Sequence, residues 1–393
     1  MRVSEFAVGL SSPLRTAHGE IDEREGFLVG VDGCGDSDDC VNSDNADETD
    51  ADETDTDETD ADVSPRTPAV GIGEATPLPG WTESLTACEA ALDGEGDGTP
   101  TPDDIDPRET PAARHGVALA FDDAAARASG RSLAARLAER AGFPEPAESV
   151  PAGSIPSNSG QPKSVPVNAT IGDASRMETV GAAERAVDDG YECIKVKVGA
   201  RTVDADVSRL RGVRETVGPA VELRADANGA WDRETARRAL NRLADLDLAY
   251  VEQPLPADDL AGASRLRAET PVPIALDESL AAHSIEAVLA ADAADAVVLK
   301  PMALGGPDRA VDAAKQAREA GVEPVITTTI DAVVARTAAV HVAGAVPNIA
   351  ACGLATGGLL AADLAPDPCP VSDGRIAVPE GPGIAGDAFE DLL

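Results

Sequence analysis

The feature that most constrains this 393-residue chain is a unit repeated at a nearly constant interval through its second half. Each unit has a short run of β-branched residues followed by an Ala-, Arg- and Asp-rich helical pattern. The runs are separated by 27, 29, 26, 25, 23, 27 and 25 residues, and they end at Thr170, Lys197, Asp226, Glu252, Asp277, Lys300, Thr327 and Cys352. Alternating strands and helices indicate parallel βαβ units, and eight strands at so even an interval predict a closed α/β barrel instead of an open sheet.

The first part of the chain follows a different pattern. Two strand-like segments, RVSEFAVGL and GFLVGVDG, precede a long helical pattern that runs from Pro111 to Glu139. The Pro-, Ser- and Gly-rich stretch after that pattern is typical of a linker. We therefore predict an N-terminal α+β domain over residues 1–140, a linker over 141–164, a barrel over 165–365 and a C-terminal segment over 366–393.

The net charge of −39 excludes the usual electrostatic route to nucleic acid, which needs a basic face. Residues 36–62 alone carry 14 acids and no Lys or Arg, in quasi-repeats such as DETDADETDTDETDAD. The stretch lacks the glycine and the spaced ligands of a calcium loop, so we predict a disordered, solvated insert at about residues 36–64. The acidic composition, with few lysines and aromatics, is similar to that of halophilic proteins from salt-loving archaea.

No apolar run has the length of a transmembrane helix, and the N-terminus lacks the apolar core of a signal peptide. The six cysteines show neither a CxxC pair nor zinc-ligand spacing. We therefore expect a cytoplasmic protein without membrane or nucleic-acid partners, and the sequence leaves open whether it forms a homo-oligomer.

Three carboxylates follow successive predicted strands: Asp226, Glu252 and Asp277. The carboxyl ends of barrel strands meet at one face, where three acids would repel one another unless a cation binds. Oxygen ligands of this kind suit Mg²⁺. Each acid taken alone could instead cap the helix that follows it.

Three of the five lysines lie at the same predicted face. Lys195 and Lys197 are two apart on one strand, so both point into the barrel, and Lys300 ends a strand on the other side of the carboxylates. A lysine near another ammonium and a divalent cation has a lowered pKa and can act as a base. Metal and lysine together suit removal of a proton alpha to a carboxylate. A structural Lys–Asp ion pair would explain one lysine but not easily three.

The segments IKVKV, RADANGAW, VEQP, LDES and LKPMALGG resemble the muconate-cycloisomerase-like branch of the enolase superfamily. This resemblance implies a (β/α)7β TIM-like barrel with an α+β N-terminal capping domain that the C-terminal segment rejoins. It also implies that Asp226, Glu252 and Asp277 bind Mg²⁺, with Mn²⁺ as a substitute.

The same resemblance assigns roles to the three lysines. Lys197 takes the role of the base, Lys195 assists it, and Lys300 faces the opposite side of the substrate. Asp331 and Ala332 stand where relatives commonly show Glu and Ser, so this chain departs from the family pattern after its seventh strand.

Within that branch, SPLRTAHGEIDEREGFLV, GIGEATPLPGWTES and GLATGGLLAADL are most similar to the o-succinylbenzoate synthase family. The similarity implies a lyase of menaquinone biosynthesis. Its small carboxylate substrate, 2-succinyl-6-hydroxy-2,4-cyclohexadiene-1-carboxylate, is dehydrated to 2-succinylbenzoate. The candidate substrate contacts are Asn228, Thr328, Thr329, Gly353 and, in a capping-domain loop, Thr16, His18 and Gly19.

Two other activities fit the same lysines and carboxylates: N-succinylamino acid racemisation and dipeptide epimerisation. Dipeptide epimerases usually carry an acidic pair at the eighth strand, and ACGLATGG has none. From a different class, a non-catalytic barrel could serve as a scaffold, although it would have no need to bury these charges together.

Overall fold

The computed structural model describes residues 1–16, 19–32, 70–94, 99–143 and 163–393. The predicted acidic insert, His18 and most of the predicted linker lie outside the described residues. The domain limits given above therefore stay predictions.

The N-terminal part is an antiparallel sheet of three strands in the order β1–β2–β3, packed against helices. The elements are β1 (Arg2–Thr16), β2 (Gly19–Asp32), β3 (Val70–Ala75), α1 (Leu85–Asp93), α2 (Pro111–Ala128) and α3 (Leu133–Ala141). Glycine lets α2 approach β3 closely. A Cβ on Gly71 would lie 2.0 Å from Ala120 O, and one on Gly73 would lie 1.9 Å from Gly116 O.

The helical pattern from Pro111 to Glu139 is two helices and not one, which corrects the prediction of a single long helix. The break lies at Gly130, whose φ of +66° is in the left-handed region that favours glycine. Ser132 then caps α3, because its side chain accepts a hydrogen bond from Ala135 N. After this turn, α3 packs against helices of the barrel as well as against α2.

A barrel sheet of seven parallel strands follows, in the order β5 to β11. Its strands are β5 (Asn168–Ile171), β6 (Cys193–Lys197), β7 (Glu222–Asp226), β8 (Leu248–Glu252), β9 (Ile274–Leu276), β10 (Ala296–Leu299) and β11 (Glu323–Ile326), preceded by the short β4 (Ser164–Pro166). The helices around it are α4 (Arg176–Asp188), α5 (Val203–Val217), α6 (Arg233–Leu243), α7 (Leu260–Glu269), α8 (Ser279–Ala282), α9 (Ile285–Ala290), α10 (Pro301–Leu304), α11 (Pro307–Glu319) and α12 (Val333–Ala345).

The eighth run of the sequence closes the barrel through single bridges, and the regular strand expected up to Cys352 does not form. Asn168 N donates to Cys352 O at 3.0 Å, on the β5 side. Gly353 N donates to Ile326 O at 2.9 Å, on the β11 side. Seven strands and a bridging eighth segment, with the antiparallel sheet at the N-terminus, confirm the predicted fold class.

Buried polar contacts join the barrel to the elements around it. His341 of α12 accepts a hydrogen bond from Ala134 N through Nδ1 and pairs through Nε2 with Ile384 O. Arg114 of α2 forms two hydrogen bonds with the Asp308 carboxylate of α11, both at 3.1 Å. The C-terminal strands β12 (Val371–Ser372) and β13 (Arg375–Ala377) pair with each other, and β13 also pairs with β4. In none of the described helices is there a stretch both long and apolar enough to cross a membrane.

Candidate active site

The carboxyl ends of five neighbouring barrel strands bring the predicted lysines and carboxylates together. Lys197 is in register with Asp226, and Asp226 is in register with Glu252, so β6, β7 and β8 present them side by side. Asp277 directly follows β9, and Lys300 directly follows β10. All strands of the barrel run in the same direction, so their carboxyl ends lie at one face of the barrel. Residues at those ends are therefore close together.

Both lysines of β6 contact Asp226, and Lys195 also contacts Glu252. Lys195 Nζ lies 2.9 and 3.0 Å from the two carboxylate oxygens of Glu252, and 3.2 Å from Asp226 Oδ2. Lys197 Nζ lies 2.6 Å from Asp226 Oδ2 and 2.8 Å from Asn228 Oδ1. Lys197 is the more exposed lysine, because its side chain is 34% accessible and that of Lys195 is 15%.

Burial and charge shift the pKa values at this end of the barrel. Burial alone would lower the pKa of Lys195, but the Glu252 and Asp226 carboxylates outweigh it and raise that pKa. Burial would likewise raise the pKa of Asp226, and Lys195 and Lys197 reverse this and hold it below its usual range. Burial, with the charges of Asp226 and Asp277, pushes the pKa of Glu252 upward while Lys195 pulls it down. The two short contacts of Lys195 with Glu252 favour the ionised pair.

Lys300 reaches the site from the opposite side. Its Nζ lies 2.9 Å from Asp277 Oδ2 and 3.1 Å from the centroid of the Trp81 ring. Trp81 follows β3 in the N-terminal domain, so the capping domain contributes an aromatic wall to the site. A ring face attracts an ammonium through its quadrupole, which holds Lys300 between the indole and the carboxylate.

The donor set fits a hard divalent cation. Asp277 Oδ1 and Glu278 Oε2 are buried and accept no hydrogen bond from any described residue. Asp226, Glu252 and Asp277 supply the carboxylate oxygens that Mg²⁺ prefers. Among the described residues, no three His, Cys, Asp or Glu side chains are grouped as a metal site, and lysine ammoniums occupy carboxylate oxygens there instead. A cation in this place would therefore displace ammonium contacts.

A buried amide fixes the loop that carries Asp277. The Gln253 Oε1 atom accepts hydrogen bonds from Asp277 N at 3.0 Å and Ser279 N at 3.1 Å. Gln253 has a φ of +41°, a left-handed conformation that is uncommon outside glycine. The VEQP segment thus supplies both Glu252 and the residue that orients the next carboxylate.

The predicted substrate contacts lie in four places. Asn228 lies in the site, where its Oδ1 accepts from Lys197 and its Nδ2 donates to Glu278 Oε1 at 2.9 Å. Thr328 pairs with Thr356 through their hydroxyls at 3.2 Å, whereas the Thr329 hydroxyl donates to Asp331 within its own loop.

Gly353 lies where a Cβ would come within 2.6 Å of Thr327 Oγ1, so a side chain there would crowd the end of β11. In the capping-domain loop, Thr16 of β1 pairs with Gly19 of β2 through the backbone. His18 lies outside the described residues. Whether any of these residues touches a substrate stays a prediction.

Three residues of the site region were missed by the sequence analysis. Trp81 and Arg24 come from the N-terminal domain, and only the folded chain shows that they reach the barrel. Arg224 points into the barrel two residues before Asp226, where its guanidinium lies 4.8 Å from the Tyr250 ring centroid. The alternation RAD on one strand was the available signal for Arg224, since residues two apart share a face.

Comparison with known proteins decides the family. A profile described as Enolase C-terminal domain-like matches residues 178–391, more than half of the chain. The chain belongs to the enolase superfamily. Its superfamily relatives include o-succinylbenzoate synthase of Thermobifida fusca (strain YX), 41% identical over 209 residues that cover 52% of this chain and 63% of the relative.

Enolase superfamily members with other activities are also similar. N-succinyl-L-Arg/Lys racemase of Bacillus cereus is 34% identical over 180 residues, covering 45% of this chain and 48% of the relative. L-Ala-D/L-Glu epimerase of Bacillus subtilis is 32% identical over 218 residues, covering 55% and 60%. In these three relatives the matched part spans less than two thirds of the relative's own length.

Solved structures of the superfamily match nearly the whole chain. The substrate-liganded L-Ala-D/L-Glu epimerase of Bacillus subtilis has a TM-score of 0.74 at 25% identity, covering 98% of this chain and 97% of that one. A dipeptide epimerase of Methylococcus capsulatus, complexed with Mg and a dipeptide, has a TM-score of 0.73 at 24% identity, covering 98% of each chain. At 24% identity the second likeness shows the fold alone.

Proposed function

We propose that this protein is an o-succinylbenzoate synthase, a lyase that removes water from 2-succinyl-6-hydroxy-2,4-cyclohexadiene-1-carboxylate to give 2-succinylbenzoate. The arrangement of Lys197 and Lys300 around three carboxylates supports a reaction that begins with removal of a proton alpha to a carboxylate. The single observation that selects among such reactions is the 41% identity with the Thermobifida fusca synthase, against 34% and 32% for the racemase and the epimerase.

Lys197 carries the proton transfers in this proposal. As a free amine, its Nζ takes the proton from ring carbon C1, and the electron pair moves onto the C1 carboxylate as an enediolate. When the enediolate collapses, the C1–C6 double bond forms and the C6–O bond breaks. The Lys197 ammonium returns its proton to the departing hydroxide, so one water leaves from the same face and the ring becomes aromatic.

Other residues of the chain prepare that step. Asn228 accepts from Lys197 Nζ at 2.8 Å and fixes its direction. Lys195, held as an ammonium by Glu252, places a positive charge two residues from Lys197 on the same face of the strand. Lys300 lies across the site, where its charge would stabilise the anion from the opposite ring face.

The residues present fit Mg²⁺, which we assign to Asp226, Glu252 and Asp277. When bound there, Mg²⁺ would supply positive charge beside the substrate carboxylate, which stabilises negative charge developing on its oxygens. The dipeptide epimerases that share this fold are solved with Mg, which supports the assignment.

N-succinylamino acid racemisation is the second candidate. Lysines on opposite sides of the site could remove a proton on one face and return it on the other, and the B. cereus racemase is 34% identical to this chain. A dipeptide epimerase is less favoured, because the segment from Ala351 to Gly358 contains no acid that could bind a substrate ammonium.

The two candidates differ in what they do in D₂O. We expect the Mg²⁺-loaded enzyme to convert the cyclohexadiene acid to 2-succinylbenzoate, with a kcat/KM at least tenfold above that for racemisation of N-succinyl-L-arginine or N-succinyl-L-lysine. Inversion and deuterium exchange of the amino acids without turnover of the cyclohexadiene acid would overturn the synthase in favour of the racemase. Inactivity on all three would leave the dipeptide epimerase and the non-catalytic scaffold.

A further inference from the structure

A buried arginine of the N-terminal sheet binds the loop that follows the seventh barrel strand. Arg24 of β2 is only 3% exposed, and its guanidinium donates to three main-chain carbonyls. Two of them, Thr76 O at 2.9 Å and Pro77 O at 3.0 Å, belong to the capping domain. The third, Ile330 O at 3.2 Å, belongs to the barrel loop after β11. Arg24 is thus a direct link between the capping domain and this loop.

The carbonyl that Arg24 binds belongs to a strained residue. Ile330 has a φ of +63°, in the left-handed region, and for a β-branched side chain this conformation is a genuine outlier. Such a conformation persists only where the surroundings over-determine it. Arg24 holds the carbonyl of Ile330, and the Thr328 hydroxyl accepts from its amide at 3.2 Å.

The residues on either side of Ile330 are held by acids. Asp331 accepts from the amide and the hydroxyl of Thr329. The Glu74 carboxylate of β3 accepts from Ala332 N at 2.8 Å and Ala335 N at 2.9 Å, which caps α12. The loop conformation is therefore specified from both ends by side chains of two domains.

This loop borders the catalytic lysine on the far side of the site. Leu299 is in register with Ile326, so Thr327 lies beside Lys300 at the strand ends. Thr328 is the next residue, and its hydroxyl also contacts Thr356 in the segment that closes the barrel. A shift at Ile330 would displace Thr328 at the edge of the site.

We propose that Arg24 is a positioning residue of the active site: it holds Ile330 in its left-handed conformation and so places Thr328 and its loop against the bound carboxylate substrate. The proposal rests on the function proposed above, because it assigns this loop to substrate binding. In this proposal the substrate pocket has its correct shape only when the capping domain is docked, because the Arg24 guanidinium holds the loop in place.

The alternative is that Arg24 only stabilises the fold, and Arg214 offers a matched control. The Arg214 guanidinium also donates to main-chain carbonyls, among them Asp247 O at 2.9 Å, and Asp247 likewise has a positive φ of +51°. Asp247 directly precedes β8, so this contact lies at the amino end of the strands, away from the lysines. Arg214→Met removes a comparable set of hydrogen bonds at the end of the barrel opposite the candidate active site.

The experiment measures KM and kcat for dehydration of the cyclohexadiene acid by wild type, Arg24→Met and Arg214→Met, with the melting temperature of each. A loss of folded enzyme lowers kcat and leaves KM unchanged, whereas a misplaced loop raises KM. We expect Arg24→Met to raise KM about tenfold with kcat within about threefold of wild type. Arg214→Met should lower the melting temperature without changing KM. If Arg24→Met does not fold, Arg24→Lys replaces it, since one ammonium cannot reach all three carbonyls.

A second substitution tests the conformational part of the proposal. Asn adopts the left-handed region at low cost, so Ile330→Asn should hold the loop without the guanidinium. We expect the double variant Arg24→Met/Ile330→Asn to bring KM most of the way back to the wild-type value. Unchanged KM in Arg24→Met, or an equal rise of KM in Arg214→Met, would overturn the positioning role, and so would failure of Ile330→Asn to rescue.

Amide hydrogen exchange separates this proposal from the proposed function. Exchange of residues 327–332 should rise in Arg24→Met, confined to that segment, whether or not the enzyme is active on the cyclohexadiene acid. Failure of wild type to dehydrate that acid, with exchange behaving as expected, would refute the synthase and leave the Arg24 contact intact. If the wild type is active but exchange of residues 327–332 in Arg24→Met equals that of the wild type, the positioning role of Arg24 is refuted and the proposed function is not.

Discussion

The indole ring of Trp81 lies over the ammonium of Lys300, with 3.1 Å between Nζ and the ring centroid. The two residues come from different domains, since Trp81 follows β3 and Lys300 follows β10. The contact encloses one side of the site and keeps the Lys300 charge close to Asp277. It places a side chain of the N-terminal domain beside a candidate catalytic residue of the barrel.

Replacement of Trp81 should lower activity more when the new side chain has no aromatic ring than when it keeps one. A desolvated cation–π contact contributes roughly 1–2 kcal/mol, about a tenfold change in rate. We expect Trp81→Leu to lower kcat/KM for dehydration about tenfold and Trp81→Phe to lower it less than threefold. Equal losses in both variants would show that only the volume of the indole matters.

Fluorescence gives an independent reading of the same contact. The chain has two tryptophans, and Trp231→Phe leaves Trp81 as the sole emitter. In that background, Lys300→Met should change the intensity of Trp81 emission. Lys315→Met, which alters an unrelated lysine, serves as the control and should leave it unchanged.

Removal of divalent cations should abolish turnover. The proposed ligands of the cation are the Asp226, Glu252 and Asp277 carboxylates, and Asp277 Oδ1 is buried without a hydrogen-bond partner among the described residues. We expect dialysis against EDTA to reduce activity at least a hundredfold and Mg²⁺ or Mn²⁺ to restore it. Mg²⁺ should also raise the melting temperature of wild type but not of Asp277→Asn, because binding to the folded state alone stabilises it. Full activity in EDTA would contradict the metal assignment.

The buried His341 should make stability fall in weak acid. Burial lowers the pKa of His341 to about 4 from its ordinary 6.5, and the imidazole accepts from Ala134 N. The unfolded chain therefore binds a proton that the folded chain excludes, so stability is full above pH 6.5 and falls as the pH drops towards 4. The loss is on the order of 3 kcal/mol. His341→Gln, which keeps one acceptor and one donor, should flatten the fall of unfolding free energy over that range. An identical pH dependence in both proteins would contradict this.

The close packing of α2 on β3 should not tolerate a methyl group at Gly73. Its Cβ would lie 1.9 Å from Gly116 O, so the helix has to move. We expect Gly73→Ala to lower the free energy of unfolding by about 2 kcal/mol or more, measured by urea titration. Gly358→Ala is the control, because no atom lies within 4 Å of that Cβ, and its stability should match wild type.

The barrel and the residues at its strand ends could be predicted because both depend on local sequence. The strand that carries Lys195 and Lys197 places both on one face by its period of two, and the interval between units sets the closed barrel. The segment that ends at Cys352 could not be predicted in the same way. Cys352 ends a run that reads as a strand, but it bridges its neighbours with single hydrogen bonds, and an apolar pattern does not distinguish these outcomes.

Contacts between the domains could not be predicted from the same patterns. Trp81 lies in a Pro- and Gly-rich stretch that reads as a loop, and Arg24 lies in a charged run that reads as a solvated strand. Each acts on a residue more than 200 positions away. The break at Gly130 was a local signal, but the Ala-rich composition on both sides of it favours one continuous helix.

The most direct test of the account is the dehydration rate of Lys197 variants in the presence of Mg²⁺. We expect Lys197→Ala to lower kcat for the cyclohexadiene acid by at least 10⁴-fold while Mg²⁺ still raises its melting temperature. Lys197→Arg, which keeps the charge but cannot release its proton, should be equally inactive. Dehydration by either variant within tenfold of the wild-type rate would contradict the assignment of Lys197 as the base.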